Sequence, residues 1–314
     1  MMVMRPLLAA QDTGEQRDGM LTDPLEEWLW DTPMPLPKEL LNLQQTAALE
    51  DVQQLAALGK TADLQLVDFW QETAVTTDPG NPFRHERLTM AIAALALIAI
   101  RHTNSHAIAF LRQLTYHPHP EVRELAIHYL GRSFTETGRP LPIPILNEMS
   151  RIAQHDDIFA PRFQARRILQ IAHAPIPLDN PGGVYDLKVM PLHNRRIYRT
   201  IAIRAEQTLR DLQRFIQHAF EWDNQHLFSF YMNGRKYDGR YRFSCAYEEN
   251  RPPWAYEAII GQLGLVMGHH FLYHYDYTAD HLFDIEVIAI RAHVPAGNYP
   301  RQIDTHGKPP TQFT

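Results

Sequence analysis

The feature that most constrains this chain is a change of hydrophobic period near residues 174–183. Between Leu40 and His173 apolar residues recur at helical spacing; after Val184 they alternate. A helical period buries a stripe along a cylinder, and a period of two buries one face of a sheet. One core geometry therefore does not serve both segments. The stretch from Pro175-Ile-Pro177 to Pro181-Gly-Gly183 is rich in residues that interrupt either pattern. The expected fold is multidomain, α followed by α+β. Its divisions are an irregular arm over 1–36, a helical domain over 37–173, a linker over 174–183, an α+β domain over 184–294 and a C-terminal tail over 295–314.

In the first half the spacing predicts helices at 38–58, 62–74, 84–102, 105–116, 120–133, 143–155 and 159–173. Breakers separate them, among them Gly59, Asp78-Pro79-Gly80, Asn104, Pro118 and Gly138. Two of these segments are alike, 39 residues apart: Pro120–Gly131 and Phe159–Gln170. Arg123 aligns with Arg162, Ala126 with Ala165, and Leu130 with Leu169. The small alanine lets helices approach closely, and the leucine continues the apolar stripe. The pattern resembles HEAT-repeat helices, whose period is about 40 residues; a non-repetitive helical bundle fits it too.

Composition narrows the setting. Apolar residues make up 45% of the 314-residue chain, enough for sizeable cores. A single cysteine, Cys245, excludes an internal disulfide and a thiolate metal cluster. It fits a reducing, cytoplasmic location. Met1–Ala10 shows neither the charged segment nor the full apolar stretch of a signal peptide. The longest apolar run, Met90–Ile100, falls well short of the ~20 residues of a membrane-spanning helix, so no membrane partner is expected. The net charge of −6 is uneven, acidic from Gln11 to Gly80 and basic from Val184 to Arg242. Such asymmetry can mark a polyanion site on the basic half, two segments that face each other, or two segments that are merely solvated.

In the second half, Val184–Met190, Ile197–Arg204, Leu227–Met232, Phe271–Tyr277 and Phe283–Ile290 read as strands. Thr208 is a good N-cap, with Asp211 completing an approximate capping box. Leu209, Leu212, Phe215, Ile216, Ala219 and Phe220 follow as one helical stripe, with Phe215 expected in the core. One main helix on a largely antiparallel sheet suggests a β-grasp-like α+β domain.

The same residues carry a family resemblance. Ile197-Tyr-Arg-Thr-Ile201, Thr208-Leu209, Trp222-Asp223, His226-Leu227, Phe230, Phe271, Tyr273 and Tyr275-Asp276 resemble the Ri-plasmid ORF-three-like family over roughly residues 184–290. The resemblance implies an α+β fold close to a β-grasp and a plasmid- or mobile-element-associated bacterial protein. It implies no activity. The chain departs from the family pattern where Tyr275-Asp-Tyr-Thr-Ala-Asp280 stands for Tyr-Asp-Phe-Gly-Asp, with His281 and Phe283 in place of the Trp and His that follow.

Three groups of residues are candidates for chemistry. His270, His274 and Asp276 would share one face of a strand, at a spacing at which histidine and carboxylate can share a cation. Arg199, Arg235, Lys236 and Arg240, interleaved with tyrosines, would form an anion-binding face suited to nucleic acid. Trp254, in the loop Tyr247–Tyr256, is the candidate anchor for a protein partner. No nucleophile elbow, phosphate-binding glycine loop or His-Glu-x-x-His pattern is present. No catalytic residue and no cofactor is therefore assigned. The expected function is a non-enzymatic binding or adaptor protein with a protein partner. The alternatives are a nucleic-acid accessory protein using the basic face, and a metal-assisted hydrolase centred on His270, His274 and Asp276.

Overall fold

The computed structural model describes residue 92 and residues 105–135, 138–247, 253–292, 294 and 296–312. The arm over 1–36 and the helices expected at 38–58, 62–74 and 84–102 lie outside them, except that Ile92 is helical and buried. Two compact units divide the chain, Met1–Glu148 and Met149–Thr314. Among the described residues no helix is long and apolar enough to cross a membrane.

In the first unit, α1 (Ser105–Leu114) and α2 (Pro120–Thr135) are followed by the start of α3 (Ile143–His155). Pro118 and Pro120 interrupt the chain between α1 and α2, and proline is well tolerated in a first helical turn, where its missing N–H costs nothing. Val122, Leu125, Ala126, Tyr129 and Leu130 form the buried stripe of α2. The buried carboxylate of Glu148 accepts from Arg112 Nε at 2.5 Å and from the Thr115 hydroxyl, so its charge is paired and α1 is tied to α3.

The second unit opens with the end of α3 and α4 (Phe159–Ile171). Then come β1 (Val184–Pro191), β2 (Tyr198–Arg204), α5 (Leu209–Phe220), β3 (Phe228–Tyr231), β4 (Arg242–Ser244), β5 (His270–Tyr275), β6 (His281–Arg291) and β7 (Arg301–His306). The strands form one antiparallel sheet in the order β4-β3-β5-β6-β1-β2-β7. Alternation along the strands sends Tyr185, Leu187, Val189, Ile201, Ile203, Phe271, Tyr273, Phe283 and Ile285 into one core. The polar residues between them face the other way.

Helix α5 starts as its sequence predicts. The Thr208 side chain accepts from Asp211 N while Asp211 accepts from Thr208 N, a full capping box. Leu209, Leu212, Ile216 and Phe220 are wholly buried against the sheet. Phe215 is not: it sits half-buried at the margin, against His218. At 100° per residue it lies off the Leu212–Ile216 line, and the glutamines beside that line take the buried face instead. Gln217 Nε2 donates to the Tyr273 hydroxyl at 2.6 Å.

Three further features differ from the sequence expectation. The helix at 159–171 belongs to the sheet unit, with Phe163 in its core and Arg162 and Arg167 donating to the carbonyls of Gly264 and Arg242 at 2.9 and 2.7 Å. Residues 174–183 are packed rather than free, since Asp179 N donates to Gly261 O at 2.8 Å and the Asp179 carboxylate pairs with Arg166 at 2.9 Å. Gly261 makes this closeness possible: a Cβ there would lie 2.7 Å from Asp179 O. Finally, the segment expected as a tail supplies β7, which pairs with β2.

Candidate functional site

Strand β5 places His270 and His274 on one face, but Asp276 lies past the strand end in a left-handed conformation, φ 51°. The three side chains go to three different partners. His270 Nδ1 lies 3.1 Å from Asp284. His274 Nε2 lies 2.9 Å from Asp280. Asp276 accepts from the backbone N–H groups of Thr278 and Ala279 and lies 3.3 Å from His226 Nδ1. The turn at Asp276 thus breaks the alternation that would have aligned its carboxylate with the histidines. Among the described residues, no three His, Cys, Asp or Glu side chains are placed to hold one metal ion.

His274 is almost fully buried, at 1% exposure, with the Tyr277 ring 4.9 Å away and Ser229 opposite it in register. Burial, then the Lys236 charge, lower its pKa to about 4 against the partial offset of Asp280, so the ring is neutral. Its Nδ1 has no hydrogen-bond partner, and the Asp280 contact lacks hydrogen-bond geometry. Ser229, His274 and Asp280 are the residue types of an acyl-transfer triad. Yet Ser229 is buried and its hydroxyl is shared with Tyr277 at 2.6 Å and Ser244 at 3.2 Å. That arrangement makes a polar seam in the sheet, not an exposed nucleophile.

The four basic residues do not assemble into a face. Arg199 is buried and donates to the carbonyls of Tyr198, Ala219, His306 and Gly307. It holds β7 and the end of α5 to β2, and is not available to a partner. Lys236 pairs with Asp280, and Arg240 with Asp238 at 3.0 Å. Arg235 stays exposed in the turn after β3. Trp254 is half-buried; its segment folds back on β4, with a Ser244–Trp254 bridge and Ala255 N donating to Ser244 O at 2.8 Å. The same segment meets α5, where Leu209 N and Arg210 N donate to Ala258 O and Ala255 O at 2.9 and 3.1 Å.

The structure gathers three of the residues that carry the family resemblance, Trp222, Asp223 and Tyr275, into one cluster. Trp222 Nε1 donates to Pro310 O at 2.8 Å, and its ring lies 4.5 Å from that of His281. Asp223 accepts from the Tyr275 hydroxyl and the Gln312 amide, both at 2.8 Å, and its own N–H donates to Gln312 Oε1 at 2.8 Å. The Gln312 bond, with that of Tyr275, holds the Asp223 carboxyl below the usual range. Burial, then the Asp223 bond, push the Tyr275 hydroxyl well up. His281 Nε2 donates to Gln312 O at 2.9 Å. Residues 310–312 therefore strap the cluster shut, and its polar groups serve one another.

Beside this cluster an open cleft of about 230 Å³ lies between α5 and the segment folded against β4. Arg210, Gln213 and Arg214 line it from the helix, His226 from the following loop, and Cys245 and Tyr256 from the opposite wall. Gln213 Nε2 donates to Asn224 Oδ1 at 2.6 Å at its base. Neither Arg210 nor Arg214 has an ion-pair partner among the described residues. Sequence reasoning missed both, because two arginines on the outer face of an amphipathic helix look like ordinary solvated charge.

Residues 184–312 match the family of plasmid pRiA4b ORF-3-like proteins. The match takes in β7 and the strap at 310–312, so the resemblance reaches beyond residue 290. No curated protein matches the chain. Among solved structures, MM3350 from Methanosarcina mazei Go1, a protein of unknown function, is similar at 20% identity. The alignment covers 42% of this chain and 73% of that one, with a TM-score of 0.36.

Proposed function

We propose that this chain is a binding or adaptor protein and not a catalyst, with its ligand site in the unit that contains the sheet. One observation carries the reading. The chemistry-bearing side chains of the family cluster are bonded to each other and to the strap, whereas the adjacent cleft is open and lined by arginines without ion-pair partners. A site for binding presents unsatisfied groups to solvent; groups already satisfied hold a fold together. The family's description supports an association with plasmids or other mobile elements. A protein partner remains part of this reading, since an adaptor carries its ligand signal to another chain.

The test is recovery of the full-length tagged protein from its own host under gentle conditions. Bound small molecules and proteins are then identified by mass spectrometry, and the same sample is assayed for hydrolysis of ester, phosphate and amide substrates with and without divalent metal. A stoichiometric bound species without turnover is the expected result. Metal-dependent turnover lost in His274→Ala would overturn the reading in favour of a hydrolase.

A further inference from the structure

We infer that the cleft between α5 and β4 binds a small organic anion, its carboxylate or phosphate group held by Arg210 and Arg214. This rests on the binding reading above and names the chemistry of the ligand. Positions 210 and 214 are one helical turn apart and project from the same side of α5, so both guanidinium groups can reach one anionic group. Without an anion the pair is unfavourable. Like charges at i and i+4 repel, and Arg210 sits in the first turn of the helix, where the backbone dipole disfavours cations. Asp211, the carboxylate nearest them on the helix, is committed to the capping box and is not among the residues lining the cleft.

The remaining lining sets the orientation. Phe228 and the Tyr256 ring are flat apolar walls, and the Gln213–Asn224 amide pair forms a polar floor. At the far end His226 stands between Asp223 at 3.8 Å and Asp276 at 3.3 Å. Those carboxylates repel an anionic group there, so the charged head lies at the arginines and an uncharged body extends toward Asn224 and His226. A volume of about 230 Å³ is room for roughly seven waters at ~30 Å³ each, the scale of a small monocarboxylate or phosphate ester and not of a folded partner.

Cys245, the chain's single cysteine, lines the cleft and makes the test direct. The full-length protein is alkylated with iodoacetate, an anion, and with iodoacetamide, its neutral analogue. The ratio of the two rates cancels the thiolate fraction. Relative to a free cysteine peptide, the ratio is expected to rise about fivefold or more, and to return to the peptide value in Arg210→Gln/Arg214→Gln. Millimolar butyrate or glycerol phosphate should slow alkylation and raise the melting temperature of the wild type but not of the double variant. The arginines are exposed and repel each other, so the unliganded variant should melt no lower than the wild type. A ratio equal to that of the peptide together with no thermal shift overturns the inference, as does a shift that survives in the variant. If the arms fail while another species co-purifies stoichiometrically, the anion cleft is wrong and the binding reading stands. Turnover by the isolated protein would remove the binding reading itself.

Discussion

Helices α2 and α4 share a sequence pattern and a local geometry, yet they bury different things. Arg123 Nη1 donates to His117 O at 2.9 Å, and Arg162 Nη1 donates to Asp156 O at 2.6 Å, in each case six residues back across the preceding turn. Ala126 and Leu130 are fully buried, as are Ala165 and Leu169. The difference lies at the positions between. Where α2 has half-buried Glu124, α4 has Phe163 in the sheet core, stacked 5.0 Å from Tyr241. Where α2 has Ile127 wholly buried, α4 has Arg166, also buried. Arg166 Nε donates to Ala153 O at 2.9 Å and Nη2 to Asp179 at 2.9 Å. One shared stripe therefore serves two designs. In α2 the other buried positions are apolar, as at Ile127, whereas α4 adds a second face made of one aromatic ring and arginines that satisfy loop carbonyls.

The largest expected effect tests that second face. Phe163→Ala should cost about 3–5 kcal/mol, while Glu124→Ala at the matching position of α2 should cost about 1 kcal/mol or less. Denaturant unfolding of the full chain, read segment by segment by hydrogen exchange, measures both. Equal effects would dissolve the distinction between the helices.

Next comes Arg166→Met, expected to cost about 1–3 kcal/mol, because Ala153 O loses its donor at a buried site, while the Asp179 carboxylate it also leaves unpaired still reaches water. Ile127→Met, a volume-conserving change in an apolar site, should cost less than about 1.5 kcal/mol. The same hydrogen-exchange readout should place the Arg166 loss in residues 149–183 and the sheet loops around Gly261.

The hold of α4 on the sheet should also depend on pH. The His269 ring lies 3.9 Å from Phe159, and its Nε2 donates to Met232 O at 2.7 Å. Burial lowers its pKa to about 4, from an ordinary value of 6.5. The unfolded chain takes up a proton as pH falls through 6.5, and the folded chain resists until about 4. Stability is thus fully present above 6.5 and declines down to about 4, by up to about 3 kcal/mol. His274 adds a slope of the same sign over the same window. Melting curves from pH 7 to pH 4 should flatten by about one proton in His269→Gln. An unchanged slope would show that α4 docks without help from a neutral histidine.

The smallest effect sharpens the similarity. Arg123→Gln should cost about 1 kcal/mol or less, since the side chain is half-exposed and its carbonyl partners reach water. Arg162→Gln should cost more, because Arg162 also donates to Gly264 O in a buried site.

How far the sequence could be read follows from these contrasts. Strands that bury one face announced themselves by alternation, as in Val184–Met190, and Thr208 with Asp211 announced the start of α5. Strand β4 has three residues, too few for a period, and β7 is exposed along nearly its whole length, so neither left a pattern. The family cluster of Trp222, Asp223 and Tyr275 was visible through resemblance, but its closure by Gln312 joins residues 89 positions apart. His270, His274 and Asp276 looked like one metal site only while the strand was imagined to continue through Asp276.

The sequence by itself determined that the helices described within residues 105–171 precede an α+β segment, and which faces of β1, β2 and α5 turn inward, because period and burial are two views of the same short-range geometry. Only the tertiary structure decided that α4 belongs with the sheet, that residues 301–312 complete it, and that Arg210 and Arg214 face a cleft across from Cys245. Those outcomes depend on which carbonyls and side chains distant segments bring within hydrogen-bonding reach. A local window of sequence carries the donors but not the positions of their acceptors.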